Sequence, residues 1–309
     1  MEFLYLLESL RCGILDAFFS IITILGEETA FMLVGMTIFW CVSKYEGYCL
    51  LCTGFFGTLV NQFLKILCRV PRPWVKDPNF TIVESAREAA TGYSFPSGHT
   101  QNAVTTFGGL ARWHKQTAIR TLAIVACVLV PLSRMYLGVH TPADVLVSIG
   151  FGLLLVFVGY PLFKKAEKDP RVMYAIIGTM ALLTLAYLIF VNTYSFPADT
   201  DAHNLLSARK NGATLMGCLV GLILVYTADL RFIHFETKAV WWVQILKVVG
   251  GILLVFLVKE LLRSPLEAVF GNEFVARGVR YFLMVIVGGG LWPMTFGWFS
   301  KLGQKKESK

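Results

Sequence analysis

Apolar runs recur along the whole chain, each bounded by a short polar, charged or proline-containing break. A membrane-crossing helix needs about 20 predominantly apolar residues. The pattern predicts such segments at 12–26, 28–43, 48–69, 99–113, 117–135, 141–163, 172–193, 212–228, 239–262 and 279–299. The first, second and fourth are the shortest. Residues 1–11 carry Glu2 and Glu8 instead of a basic leader, and no small-residue cleavage site follows, so they predict an interfacial helix and not a removable signal. An all-α polytopic membrane protein is the expected fold class.

Composition sharpens that picture. The chain is 56% hydrophobic and 16% charged, well outside the range of soluble domains. Its net charge of +8 is spread over short inter-helix breaks and the tail Lys301, Lys305, Lys306 and Lys309. That spread fits contact with anionic lipid headgroups and argues against nucleic acid as a partner. Arg112, His114, Lys115 and Arg120 fall in one break, and Lys164, Lys165, Lys168 and Arg171 in another. The positive-inside rule places both in the cytoplasm, which puts both termini there too and the stretch 69–95, the short turn near Gly138 and the stretches 194–211 and 264–277 on the opposite side. The polar break at 164–170 divides the chain into 1–168 and 169–309. Seven cysteines, an odd number mostly in apolar segments, imply no disulfide framework.

Three polar constellations fall on the same predicted side. In Lys65–Pro73, KILCRVPRP, Pro71 and Pro73 end a helix and leave Lys65, Arg69 and Arg72 clustered there. Pro96-Ser97-Gly98-His99 opens the next helix, whose N-terminus directs free amides toward an anion. Ser133-Arg134 is followed by His140 and Asp144, whose spacing of four puts them on one helical face, where a carboxylate can hold one ring nitrogen and leave the other to react. Each alone has a plain reading: snorkelling cations, a serine cap, a structural hydrogen bond. Together they supply cations, two imidazoles, a carboxylate and a helix N-terminus, the inventory of phosphoryl transfer. No zincin motif, Walker loop or magnesium-type carboxylate cluster is present, so neither a metal nor another cofactor is expected.

These residues resemble the type 2 phosphatidic acid phosphatase superfamily, whose signature K-x6-R-P, P-S-G-H and S-R-x5-H-x3-D this sequence matches at every specified position. The resemblance covers roughly 1–165, and 11–28 is also similar to the opening of bacterial members. It implies a six-helix phosphatase core, and the sequence departs from the family pattern after residue 170, where about four additional C-terminal transmembrane helices of unknown role follow. The resemblance further implies His140 as nucleophile, Asp144 as its orienting partner, His99 as acid for the leaving group, and phosphate binding by Lys65, Arg72, Ser97, Gly98 and Arg134. The implied activity is metal-independent hydrolysis of a membrane lipid phosphate, such as phosphatidate, phosphatidylglycerol phosphate or an isoprenyl diphosphate, through a phosphohistidine. The implied place is a bacterial inner membrane with the site facing away from the cytoplasm.

Two other readings stay open: a sugar-phosphate phosphatase similar to glucose-6-phosphatase, and a lipid phosphate transporter or flippase using the same anion site. In the second half, Gly217-x-x-x-Gly221 and Gly288–Gly290 predict close helix packing. Asp199, Asp201 and His203 are compatible with a metal site, a lid or an ordinary loop. Lys247 is expected to snorkel to the interface or to pair with a neighbouring charge.

Overall fold

The computed structural model describes residues 1–90 and 92–302; Lys305, Lys306 and Lys309 lie outside them. Among the described residues all regular structure is helical. The interfacial helix is α1 (Glu2–Ser9). Helices then stand at each expected membrane segment: α2 (Gly13–Ile24), α3 (Glu28–Cys41), α4 (Lys44–Cys68), the single turn α5 (Pro73–Lys76), α6 (Gly98–Trp113), α7 (Thr117–Tyr136), α8 (Pro142–Ala166), α9 (Pro170–Thr193), α10 (Ala202–Ala228), α11 (Trp241–Leu261), the short α12 (Arg263–Phe270) and α13 (Glu273–Val285). Among the described residues six helical stretches are individually long and apolar enough to cross a membrane: Lys44–Lys76, Thr117–Tyr136, Pro142–Ala166, Pro170–Thr193, Ala202–Ile233 and Glu273–Phe299. The pair α2 and α3 passes only as one span, bent by 48°. At about 1.5 Å per residue α6 is roughly 24 Å long, short of a full crossing.

Two boundaries differ from expectation for the same reason. The helix α10 begins ten residues before 212 because Asp201 caps it, its Oδ1 accepting from the Asn204 amide at 2.7 Å. The helix α13 begins at Glu273 and not 279 because Asn272 accepts from the Phe274 and Val275 amides at 2.9 and 3.1 Å. A polar cap outweighs the charged residues that make these stretches look like loop.

The chain forms two compact units. The first holds Met1–Val34, Cys49–Lys164 and Tyr194–Ala208; the second holds Gly35–Tyr48, Lys165–Thr193 and Arg209 onward. In the first unit α6 packs along α7, and α1 and α2 rest on α7 as well. Arg11 fastens this corner, donating to the Tyr136 carbonyl at 3.1 Å and to the Thr81 carbonyl at 3.0 Å. The Tyr136 hydroxyl in turn donates to Asp16 at 2.7 Å.

In the second unit the Gly217-x-x-x-Gly221 face of α10 lies directly on α13. A Cβ at Gly217 would stand 2.0 Å from the Gly278 carbonyl oxygen, and one at Gly221 3.0 Å from Val285 Cβ. Because the first obstacle is backbone, Gly217→Ala is expected to destabilise this unit by about 3 kcal/mol or more, read as a lowered Tm of the detergent-solubilised protein. Lys247 does not snorkel. It is fully buried, donating to the Thr237 carbonyl at 3.1 Å beside the Phe296 ring. The carbonyl of half-buried Thr237, in the connection just before α11, takes the place of interfacial water there. Lys44 is half-buried and lies 2.7 Å from Asp229 Oδ2. All seven cysteines are free.

Candidate active site

Helix ends deliver every candidate residue. The end of α4 is followed by Arg69 in a left-handed conformation (φ 49°) and then by the two prolines, which turn the chain so that Arg72 immediately precedes α5. Ser97 caps α6 by accepting from the Thr100 amide at 3.4 Å. Arg134 lies in the last turn of α7, and α8 starts two residues after His140.

The local reason for that last start was not read from the sequence. Thr141 and Asp144 form a reciprocal capping pair: Thr141 Oγ1 accepts from the Asp144 amide at 3.3 Å, and Asp144 Oδ2 accepts from the Thr141 amide at 2.7 Å. Pro142 occupies the first helical position, where its missing N–H costs nothing. Asp144 therefore has a structural duty as well as a place beside His140. The T-x-x-D spacing behind His140 was the available signal.

His140 is 1% exposed and is approached from two sides. Arg72 Nη1 lies 2.9 Å from its Nε2, a contact in which the guanidinium must donate, so Nε2 carries the lone pair and the ring proton sits on Nδ1. Nδ1 faces Asp144 Oδ2 at 3.6 Å, longer than a hydrogen bond. That carboxylate oxygen is already engaged by Thr141 and by Ser94, whose Oγ donates to it at 2.6 Å. Ser94 lies two residues before Pro96-Ser97-Gly98-His99, and nothing in its spacing marked it. Burial, together with the charges of Arg72, Arg134, Lys65 and His99, holds the His140 imidazole well below the usual histidine range. The Arg72 contact joins the first motif to His140, and a bond from the second motif to Asp144 completes the junction.

Arg72 itself, 6% exposed, is braced by the Gly92 carbonyl at 3.0 Å and the Val139 carbonyl at 2.9 Å. Lys65 donates to the Tyr93 carbonyl. Arg134 is wholly buried and reaches Thr23 Oγ1 at 2.7 Å with Nη1, while its Nε and Nη2 are enclosed without an acceptor. His99 Nε2 is likewise enclosed and without a hydrogen bond. Buried, unsatisfied donors are costly and cluster where an anion is meant to sit. Ser97 is fully buried, and its amide donates to the Asp144 carbonyl at 3.2 Å, which joins the second motif to the third. A Cβ at Gly98 would meet only Asn61 Oδ1 at 3.7 Å, an ordinary contact, so packing does not demand glycine there. Ser133 turns back onto its own helix, donating to the Val130 carbonyl at 2.6 Å. Among the described residues no three His, Cys, Asp or Glu side chains are grouped as a metal site, and Asp201 serves α10 as its cap.

Fold and site together define an integral membrane protein of helices with a buried cluster of cationic side chains around an imidazole. The chain belongs to the PAP2 superfamily: residues 46–168 match the PAP2 superfamily, and residues 213–305 match the PAP2 superfamily phosphatase, transmembrane extension. The second match brings into the same superfamily the half that the motif resemblance left unaccounted for. Phosphatidylglycerophosphatase B of Bacillus subtilis (strain 168) is 32% identical over 139 residues, 41% of this chain and 63% of its own length. Sphingosine-1-phosphate phosphatase 1 of Mus musculus is 25% identical over 271 residues, 80% of this chain and 59% of its own. Undecaprenyl-diphosphatase BcrC of Bacillus subtilis (strain 168) is 29% identical over 115 residues, 37% of this chain and 55% of its own. The chain thus spans between 55% and 63% of the length of these relatives. No solved structure matches it.

Proposed function

We propose that this protein hydrolyses a membrane lipid phosphate, a phosphomonoester or an isoprenyl diphosphate, through a phosphohistidine and without a metal. The observation that carries the reading is the 2.9 Å approach of Arg72 Nη1 to the lone pair of His140 Nε2, with Asp144 behind the opposite ring nitrogen. An imidazole kept neutral by its surroundings is a nucleophile, and a guanidinium at its reacting nitrogen can hold the phosphate that nitrogen would attack.

In this scheme His140 Nε2 forms a bond to phosphorus as the bond to the leaving oxygen breaks, and His99 gives that oxygen a proton. Asp144 orients the ring and stabilises the cation it becomes. Water, losing its proton to His99, then cleaves the phosphorus–nitrogen bond and returns neutral His140. Lys65, Arg72 and Arg134 take up the equatorial charge, with the Ser97 and Gly98 end of α6 completing the cradle.

The lipid class rests on the names of the relatives and on a site at helix ends, where an apolar tail stays in the bilayer while its headgroup enters. We take 1–168 as the phosphatase core and 169–309 as a C-terminal membrane domain. The basic breaks support a reading in which the site lies on the extracytoplasmic face with both termini inside, and we take the membrane to be a bacterial inner membrane.

The purified chain is expected to release phosphate from phosphatidate, phosphatidylglycerol phosphate or an isoprenyl diphosphate in EDTA, at rates that collapse when the long chain is removed. Equal turnover of soluble sugar phosphates would point instead to a sugar-phosphate phosphatase. Loss of activity in EDTA that magnesium restores would defeat the metal-free scheme.

A further inference from the structure

The residues that brace the cations at 65 and 72 are themselves tied to a segment far away in sequence. Arg72 and Lys65 rest on consecutive carbonyls, those of Gly92 and Tyr93. The side chain of Tyr93 points to the connection between α9 and α10, where its hydroxyl accepts from the Asp201 amide at 3.1 Å. Gly92 adopts φ +71°, and a Cβ there would come within 3.7 Å of Asn204 Oδ1. A second tie lies one turn beyond Lys65. Arg69 holds a left-handed backbone that side-chain-bearing residues rarely adopt, and its Nη1 reaches Thr200 Oγ1 at 3.1 Å and Asp199 Oδ1 at 3.4 Å. Asp199 is 86% exposed, so the ion pair contributes little and the bond to Thr200 is the stronger part of this tie. The stretch Tyr194–Ala208 accordingly belongs to the same compact unit as the motifs, although it lies between helices of the C-terminal half.

We propose that the α9–α10 connection is a positioning element of the phosphate site, in which Tyr93 and Arg69 anchor residues 199–201 to the loop that sets Lys65 and Arg72. This rests on the reading that those two cations hold phosphate. Neither Tyr93 nor Arg69 need touch the substrate. They act by keeping two carbonyls, and thereby an ammonium and a guanidinium, at fixed places. The C-terminal half then contributes to catalysis through one loop, without lending a reacting group.

The test is inhibition of the purified full-length protein by inorganic phosphate, read alongside kcat on a lipid phosphate. Tyr93→Phe removes only the hydroxyl and leaves the carbonyl that receives Lys65. Arg69→Gly removes the guanidinium while suiting the left-handed backbone. Each is expected to weaken phosphate inhibition about fivefold, the worth of one ordinary hydrogen bond, with kcat changed less. In a Lys65→Ala background the Tyr93→Phe effect should shrink, because the two share one route. Phosphate inhibition unchanged in both single variants, while Lys65→Ala weakens it about tenfold, would overturn the positioning role and leave the site reading standing. Unchanged inhibition in Lys65→Ala would remove the site reading, and this proposal with it.

Discussion

His140→Ala is expected to lower phosphate release by a factor on the order of 10⁴ or more while leaving a folded protein. The fold should survive because Arg72 keeps its bonds to the Gly92 and Val139 carbonyls, and Asp144 keeps Ser94 and the Thr141 amide. The reaction should not, because the imidazole at Arg72 Nη1 is the group that attacks phosphorus in this scheme. Rapid quench with a phosphorus-labelled substrate checks this twice, since the wild type should show a base-stable phosphoenzyme that the variant lacks. Unchanged turnover by His140→Ala would end the nucleophile assignment.

The same residue predicts a pH dependence. Only the neutral imidazole attacks, and burial with four cationic or partly cationic neighbours depresses its proton affinity. As pH falls through the ordinary histidine value, about 6.5, His140 stays neutral. The acid limb of the kcat/KM profile that it governs should therefore lie below that value. Removing a neighbouring charge, as in Arg134→Met, should move the limb upward.

Arg72→Lys carries the second large effect, a fall in kcat/KM of about 10³-fold, although charge is conserved. Arg72 uses Nε for Gly92 and Nη1 for both Val139 and His140. A lysine delivers one ammonium to one point and cannot brace two loops and face a phosphate at once. It also strands a buried carbonyl, so a stability loss of about 2 kcal/mol should accompany the kinetic one. Steady-state kinetics with thermal unfolding separates the two effects; kcat/KM within about tenfold of wild type would show that charge alone matters at this position.

Hydropathy alone determined the helical class, and six of the ten expected membrane segments correspond to single helices long and apolar enough to cross among the described residues, because a bilayer allows few ways to satisfy backbone groups and a long apolar run admits one of them. It also brought out Lys65, Arg72, Pro96 to His99, Arg134, His140 and Asp144, since charged and imidazole groups at apolar helix ends are conspicuous. Tertiary structure decided what spacing could not encode. Helix starts at Ala202 and Glu273 depend on caps that outweigh nearby charges, and Lys247 stays inside because a carbonyl of its own unit meets it. Ser94 and Tyr93 matter through contacts across 50 and 108 residues. Those bonds form between groups whose local sequence is unremarkable, so only the folded chain brings donor and acceptor within reach.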